Sequence, residues 1–192
     1  PAHPVHAALL TPHRQVLCDF FKLAGAGAVL DACAAADREA LIARLVRYRL
    51  RAKVGIEPRD QLGIYAGLEG AAAIRGINFP DPRLPMLGIR IIAARAEMPR
   101  PQDGVDAGTY HAHRLALGVP EARDFGSDRI FALDADLDEL HAVAFEKGCY
   151  VGQELTARMK HRGTARKRLL PLASLNGAPL PAPGTQVIAA DG

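Results

Sequence analysis

Near the start of the chain a short apolar run, 7–10, is followed by a stretch, 16–23, in which apolar residues alternate loosely with others. Residues 7–10 and 16–23 read as half-buried strands. Thr11-Pro12-His13-Arg14 between them, with Pro at a turn-favoured place, makes them a hairpin. The apolar run 28–33 reads as a third strand. The period then changes: Leu41, Ile42, Leu45, Val46 and Leu50 recur at helical spacing, with Arg44, Arg47 and Arg51 on the other side and Asp37 as the cap. Residues 53–57 read as a strand ending at Pro58, 62–66 as a strand, 68–74 as a short helix, and 87–94 as a β-branched strand between prolines. A helix over 108–117 stops at Gly118 with Pro120 beyond, and Gln153-Glu154 open a further helix. Residues 169–172 and 186–189 read as strands around the Pro/Gly-rich stretch 176–184. Strands alternating with helices predict an α+β body with ferredoxin-like βαβ units over 1–166. The change of character past it predicts the start of a small β-barrel domain over 167–192.

Composition narrows the class without naming a chemistry. At 192 residues, 49% hydrophobic and 23% charged, the chain can bury a core and is neither collagen-like nor disordered. No apolar run approaches the roughly 18 residues of a membrane span. Three cysteines far apart, at 18, 33 and 149, give neither a disulfide framework nor a metal pair. That usage, with no visible signal peptide, points to a reducing, cytoplasmic location. The start at Pro1 and the stop at Asp191-Gly192 read as the interior of a longer chain.

The net charge of +3 conceals an uneven distribution. Residues 121–141 hold seven carboxylates (Glu121, Asp124, Asp128, Asp134, Asp136, Asp138, Glu139) against two arginines. Residues 147–168 then hold seven Lys/Arg against Glu154 alone. Two readings stand side by side: two solvated faces that neutralise each other, or a basic segment that meets an anion.

Several chemistries are disfavoured by spacing. Gly25-Ala26-Gly27-Ala28-Val29-Leu30 has the first two glycines of a dinucleotide loop but Leu30 at the third place, so a turn is the better reading. His111 and His113 lie on opposite sides of a helix and cannot face one metal, and no metal site is expected. No P-loop and no nucleophile elbow are present. Nucleic-acid binding through the basic block lacks interleaved aromatics.

The segment Lys147-Gly148-Cys149-Tyr150-Val151-Gly152-Gln153-Glu154 differs from the rest. Two glycines bracket a cysteine and an aromatic. Lys147 and the coming helix N-terminus both favour thiolate at Cys149. This octapeptide resembles the K-G-C-aromatic-x-G-Q-E signature of the YgfZ-type folate-binding proteins. These are relatives of the T-protein (aminomethyltransferase) of the glycine cleavage system, and include a mitochondrial iron–sulfur assembly factor. Leu9-Leu10-Thr11-Pro12 through Asp19-Phe20-Phe21 is similar to the family's early hairpin, with His13-Arg14 in place of a Gln-Gly-like turn. Tyr48-Arg49-Leu50-Arg51 is similar to its helix-to-strand passage, Arg114 through Pro120 to its R-x-x-x-G-hydrophobic-P element, and residues 158–168 to its basic continuation.

The resemblance implies a T-protein-like, tetrahydrofolate-binding α+β body followed by a β-barrel, with the family's N-terminal segment and most of the barrel lying outside these residues. It implies a role in iron–sulfur cluster assembly or repair, with Cys149 as the functional thiol and iron–sulfur enzymes or assembly machinery as partners. Asp19 falls near the place of the T-protein's catalytic carboxylate. Lys147, Gly148, Tyr150, Gly152, Gln153, Glu154, Arg114 and Arg158 are the implied contacts to tetrahydrofolate or a one-carbon derivative, with basic residues meeting its glutamate tail. A folate-dependent aminomethyl transfer is the alternative.

Overall fold

A computed structural model describes residues 3–25, 27–67, 74–98, 106–162, 167–182 and 184–188. Strands β1 (Val5–Leu10), β2 (Val16–Gly25) and β3 (Ala28–Cys33) form an antiparallel sheet in the order β1-β2-β3. Helix α1 (Arg38–Tyr48) follows after a single 3-10 turn. Strands β4 (Leu62–Gly67), β5 (Ile77–Pro80) and β6 (Ile89–Ala94) make a second antiparallel sheet in the order β4-β6-β5. Helices α2 (Ala107–Ala116), α3 (Ala122–Phe125) and α4 (Gln153–Arg162) complete the regular elements used below.

Strand alternation assigns each face of the first sheet its own neighbour. Phe21 and Leu23, with Leu30 and Ala32 of β3, pack on Phe79 and Ile92 of the second sheet. On the opposite face Cys18 and Phe20, with Ala7 and Leu9, pack on Leu41 and Leu45 of α1. The end of the hairpin enters a third cluster: Val16 meets Phe125, Leu133, Leu137 and Met159, drawn from α3, the acidic segment and α4.

The α+β class holds, but the βαβ units do not form within either sheet. All described pairings are antiparallel, and α1 leads out of the first sheet into the second instead of returning to it. Residues 53–57, expected as a strand, run without a ladder partner among the described residues, and Val54 stays 56% exposed. Asp37 caps α1 by position only; its side chain accepts no cap hydrogen bond. The first described residue of the expected 87–94 strand to pair is Ile89, because a 3-10 turn over Pro85–Leu87 occupies its start. Strand β5 had no forecast. It begins after Gly76, where a Cβ would run into the Ile92 carbonyl. The expected helix at 68–74 lies outside the described residues apart from Ile74. Residues 169–172 and 186–188 contain no strand, so the barrel is not seen among the described residues. No described helix is long and apolar enough to cross a membrane.

A buried ionic network joins the second sheet to α2 and α3. Asp81 accepts from Arg83 and from Arg90, and Tyr110 receives both guanidiniums while its hydroxyl reaches Glu121. Burial disfavours both the Arg83 cation and the Asp81 carboxylate, yet their hydrogen bonds and mutual charge outweigh it, so Arg83 is raised and Asp81 lowered.

A candidate ligand cavity at the free edge of the first sheet

Because β1 is an edge strand, its outer side is open to other parts of the chain, and a cavity of about 370 Å³ lies along it. Ala8, Leu9 and Leu10 form one wall. The C-terminal half of α1 adds Arg44, Leu45 and Tyr48, and residues 142–144 add small apolar surface. Lys147, Tyr150, Val151 and Thr156 close it from the signature segment and α4. The volume falls within the roughly 300–1,000 Å³ of small-molecule sites. Its chemistry is an apolar lining carrying two aromatic rings and two cations.

The local sequence explains how the signature reaches this wall. Gly152 has φ +89°, and a Cβ there would stand 2.8 Å from Leu10 Cδ1. A glycine is therefore required both for the backbone conformation and for the close approach of α4 to β1. The Gln153 amide donates to the Tyr150 carbonyl at 3.1 Å, and the Thr156 hydroxyl donates to the Gly152 carbonyl at 3.0 Å, which fixes the turn into the helix. Lys147 Nζ lies 4.6 Å from the centre of the Tyr150 ring, a cation–π contact inside the cavity wall. Burial pushes the Tyr150 hydroxyl up, partly offset by its bond with Thr156.

The three thiols separate by environment. Burial pushes Cys18 up to about 12, reinforced by the charges of Asp37, Cys33 and Asp19. Burial also raises Cys33, with Asp37 adding to it. Cys149 alone of the three is exposed, and it lies in sequence between Lys147 and Tyr150, which line the cavity.

The remaining implied residues scatter. Gly148 has open space around it. Glu154 and Arg158 form an exposed pair one helical turn apart, N–O 2.6 Å, and Glu154 also lies 3.8 Å from Arg14. Arg114 stands away from the cavity walls, 1% exposed. It is fixed by Asp124 at 2.6 and 3.2 Å, by the Val119 carbonyl at 3.0 Å, by His111 and by Glu121. Asp19 sits on β2 directly across from Ala8, with His6 as its partner. Arg44 and Tyr48 also line the cavity, though neither was among the expected ligand contacts: Arg44 read only as part of a polar helix face and Tyr48 only as part of the helix-to-strand passage.

The acidic and basic blocks meet each other. Lys160 reaches Asp138 at 3.4 Å, and Arg168 reaches Asp138, Asp136 and Glu139. Burial pushes the Asp138 carboxyl up, but the bonds and charges of Arg168 and Lys160 outweigh it and hold the group below the usual carboxylate range. Burial leaves Asp134 and Asp136 raised despite Arg168. Mutual neutralisation thus accounts for these two cations of the basic block.

No family model matches the chain. Curated proteins do. It is 38% identical over 180 residues to the human mitochondrial iron–sulfur cluster assembly factor IBA57, covering 83% of this chain and 50% of that protein. The IBA57 homolog of Mycosarcoma maydis is 34% identical, covering 95% of this chain and 49% of that protein, and that of Neurospora crassa is 36% identical, covering 65% and 33%. The relatives are iron–sulfur cluster assembly factors by name. The chain spans about half the length of these relatives or less. All three names place the proteins in mitochondria, which overturns the cytoplasmic location expected from cysteine usage. A reducing environment, which is all the cysteine pattern reports, is not specific to the cytosol.

Proposed function

We propose that this chain is part of a YgfZ-type protein of iron–sulfur cluster assembly that binds tetrahydrofolate, or a one-carbon derivative, in the cavity beside β1. One observation carries the reading: the signature segment contributes Lys147 and Tyr150 to a cavity wall and leaves Cys149, between them in sequence, exposed. The lining fits the ligand class. Tyr48 and Tyr150 offer faces for a flat heterocycle, and Arg44 and Lys147 offer charge to glutamate carboxylates. Asp19, across from Ala8, is the carboxylate nearest this wall in strand register.

Cys149 is the thiol through which the protein acts on its iron–sulfur clients. A cluster typically takes four ligands, so one thiol serves transient handling and not resident storage. Among the described residues no group of three or more His, Cys, Asp or Glu side chains could hold a metal ion. Partners in the assembly machinery follow from the relatives' names, and the β-barrel that completes the family body follows from the resemblance.

The test has two arms on the full-length protein. Titration with tetrahydrofolate should raise the melting temperature, since ligand at about 100 times its dissociation constant adds roughly 2.7 kcal/mol. Cys149→Ala should keep that shift while failing to support iron–sulfur enzymes in cells lacking the protein. No shift with any reduced folate refutes the ligand, and full support by the variant refutes the thiol. Normal turnover in a glycine-cleavage assay would favour the aminomethyltransferase alternative instead.

A further inference from the structure

A run of cations leaves the cavity along its α1 wall. Arg44, Arg47, Arg49, Arg51 and Lys53 occur in a stretch with no carboxylate between Glu39 and Glu57. The flanking Arg38 and Arg59 pair with Asp60 and Glu57. Among the described residues none of the five has an ion-pair partner. Apolar side chains alternate with them: Val46, Tyr48, Leu50 and Val54 are 44–83% exposed.

The segment past α1 is braced by its own bonds. The Ala52 amide donates to the Arg49 carbonyl and the Val54 amide to the Ala52 carbonyl, both at 2.9 Å, and Arg49 Nη1 donates to the Val54 carbonyl at 3.0 Å. Within that turn Leu50 holds φ +50°, a conformation that favours glycine, and its side chain is 83% exposed. Glycine or asparagine would relieve an ordinary exposed turn of this shape. A leucine held there against strain, in front of solvent, is an apolar anchor ringed by cations.

The acidic segment of the chain cannot supply the complement. Glu121 and Asp124 pair with Arg83, Arg114 and Arg123, and Asp136, Asp138 and Glu139 pair with Arg168 and Lys160. A nucleic acid would supply charge but leave the interleaved apolar side chains unused. Tyr48, the one aromatic among them, already carries the Arg44 guanidinium 5.9 Å from its ring centre, so stacking is poorly served. Arg44 and Tyr48 belong both to this surface and to the cavity wall that Lys147 and Tyr150 complete.

We infer that residues 44–54 form a docking surface for an acidic protein segment that carries apolar side chains between its carboxylates. The cations steer and orient it, and Leu50 anchors it. A partner seated there borders the segment that bears Cys149. That this partner belongs to iron–sulfur assembly rests on the role proposed for Cys149, whereas the surface itself does not.

The test uses full-length protein and two variants. One carries Arg47→Glu, Arg51→Glu and Lys53→Glu together; the other is Leu50→Gly, which relieves the backbone strain and so should not lower the melting temperature. The probe is a fluorescent peptide of glutamates and serines with two leucines, followed by anisotropy. Wild type should bind it, less tightly as salt is raised, and each variant should weaken it at least about tenfold. If charge reversal disturbs the fold, Leu50→Gly alone decides. No binding by the wild type, or equal binding by Leu50→Gly, overturns the inference. Phosphatidylserine vesicles or a single-stranded RNA bound in preference to the peptide overturn it in favour of that partner. In cells lacking the protein, the charge-reversed variant should fail to support iron–sulfur enzymes; full support by it while Cys149→Ala fails removes the docking role. Full support by Cys149→Ala with the peptide result intact removes the thiol reading and leaves the surface standing.

Discussion

Replacing Arg114 with Met separates a structural arginine from a ligand-binding one. The substitution keeps most of the apolar stem and deletes the guanidinium. It would leave the Val119 carbonyl, the Asp124 carboxylate and the Glu121 carboxylate without the cation they share. Removing one partner of a buried ion pair costs about 3–5 kcal/mol. The Asp124 and Glu121 side chains are 29% and 19% exposed, so water relieves part of the penalty, and the lower end, about 3 kcal/mol, applies. For a domain of this size that corresponds to a fall of about 6–12 °C in melting temperature. Differential scanning fluorimetry of the variant reads the fall directly, and calorimetry with tetrahydrofolate below the new transition should return a wild-type affinity. A melting temperature within 2 °C of the wild type, with folate affinity lost, would refute the structural assignment and return Arg114 to the ligand.

Three further substitutions test the hairpin, the signature turn and the ionic clamp. Gly152→Ala should destabilise by about 1–2 kcal/mol, since a Cβ is strained at φ +89° and meets Leu10; a melting curve that does not move would contradict the close approach. Arg14 holds φ +74° at the turn where the resembling family carries glycine, so Arg14→Gly should stabilise by about 0.5–1 kcal/mol, the relief of left-handed strain less the added chain entropy; chemical denaturation checks the sign. Asp138→Asn should destabilise most near pH 7. A carboxyl lowered in the folded state stabilises above its unfolded value and loses that contribution as pH falls through the folded value. The gap between wild type and variant should therefore close as acid is added, and a gap constant from pH 7 to 3 would rule out the clamp.

Sequence signals were sufficient where structure is local. The hairpin, β3, α1, β4 and α2 all follow from alternation, helical period and stop residues within a few positions. Strand β5 escaped because four residues ending in Pro80, with Phe79 alone buried, carry almost no pattern. Residues 53–57 have the pattern and lack the partner, which no single segment can announce. The site divides in the same way. Lys147 and Tyr150, which line the cavity, belong to one contiguous motif that stands out in the sequence. Arg44 and Tyr48 reach the same cavity from a hundred positions earlier, through the packing of α1 on the sheet. Arg114 was assigned to folate by resemblance, and its burial depends on Glu121 and Asp124, whose convergence no spacing reveals. The basic run had two readings, and the contacts of Lys160 and Arg168 supplied one of them.

The clamp on Asp138 also bounds how far the exposed thiol can travel. Cys149 sits four residues before the start of α4, a length of chain that spans at most ~14 Å. While α4 stays fastened by Lys160 at one end and Gly152 at the other, the sulfur is a short-tethered group that sweeps a small volume in front of the cavity. Delivery to a distant acceptor by a swinging arm is outside its range. If Cys149 acts as proposed, its acceptor would have to dock at the cavity mouth, because the loop is too short to carry the sulfur to a distant one.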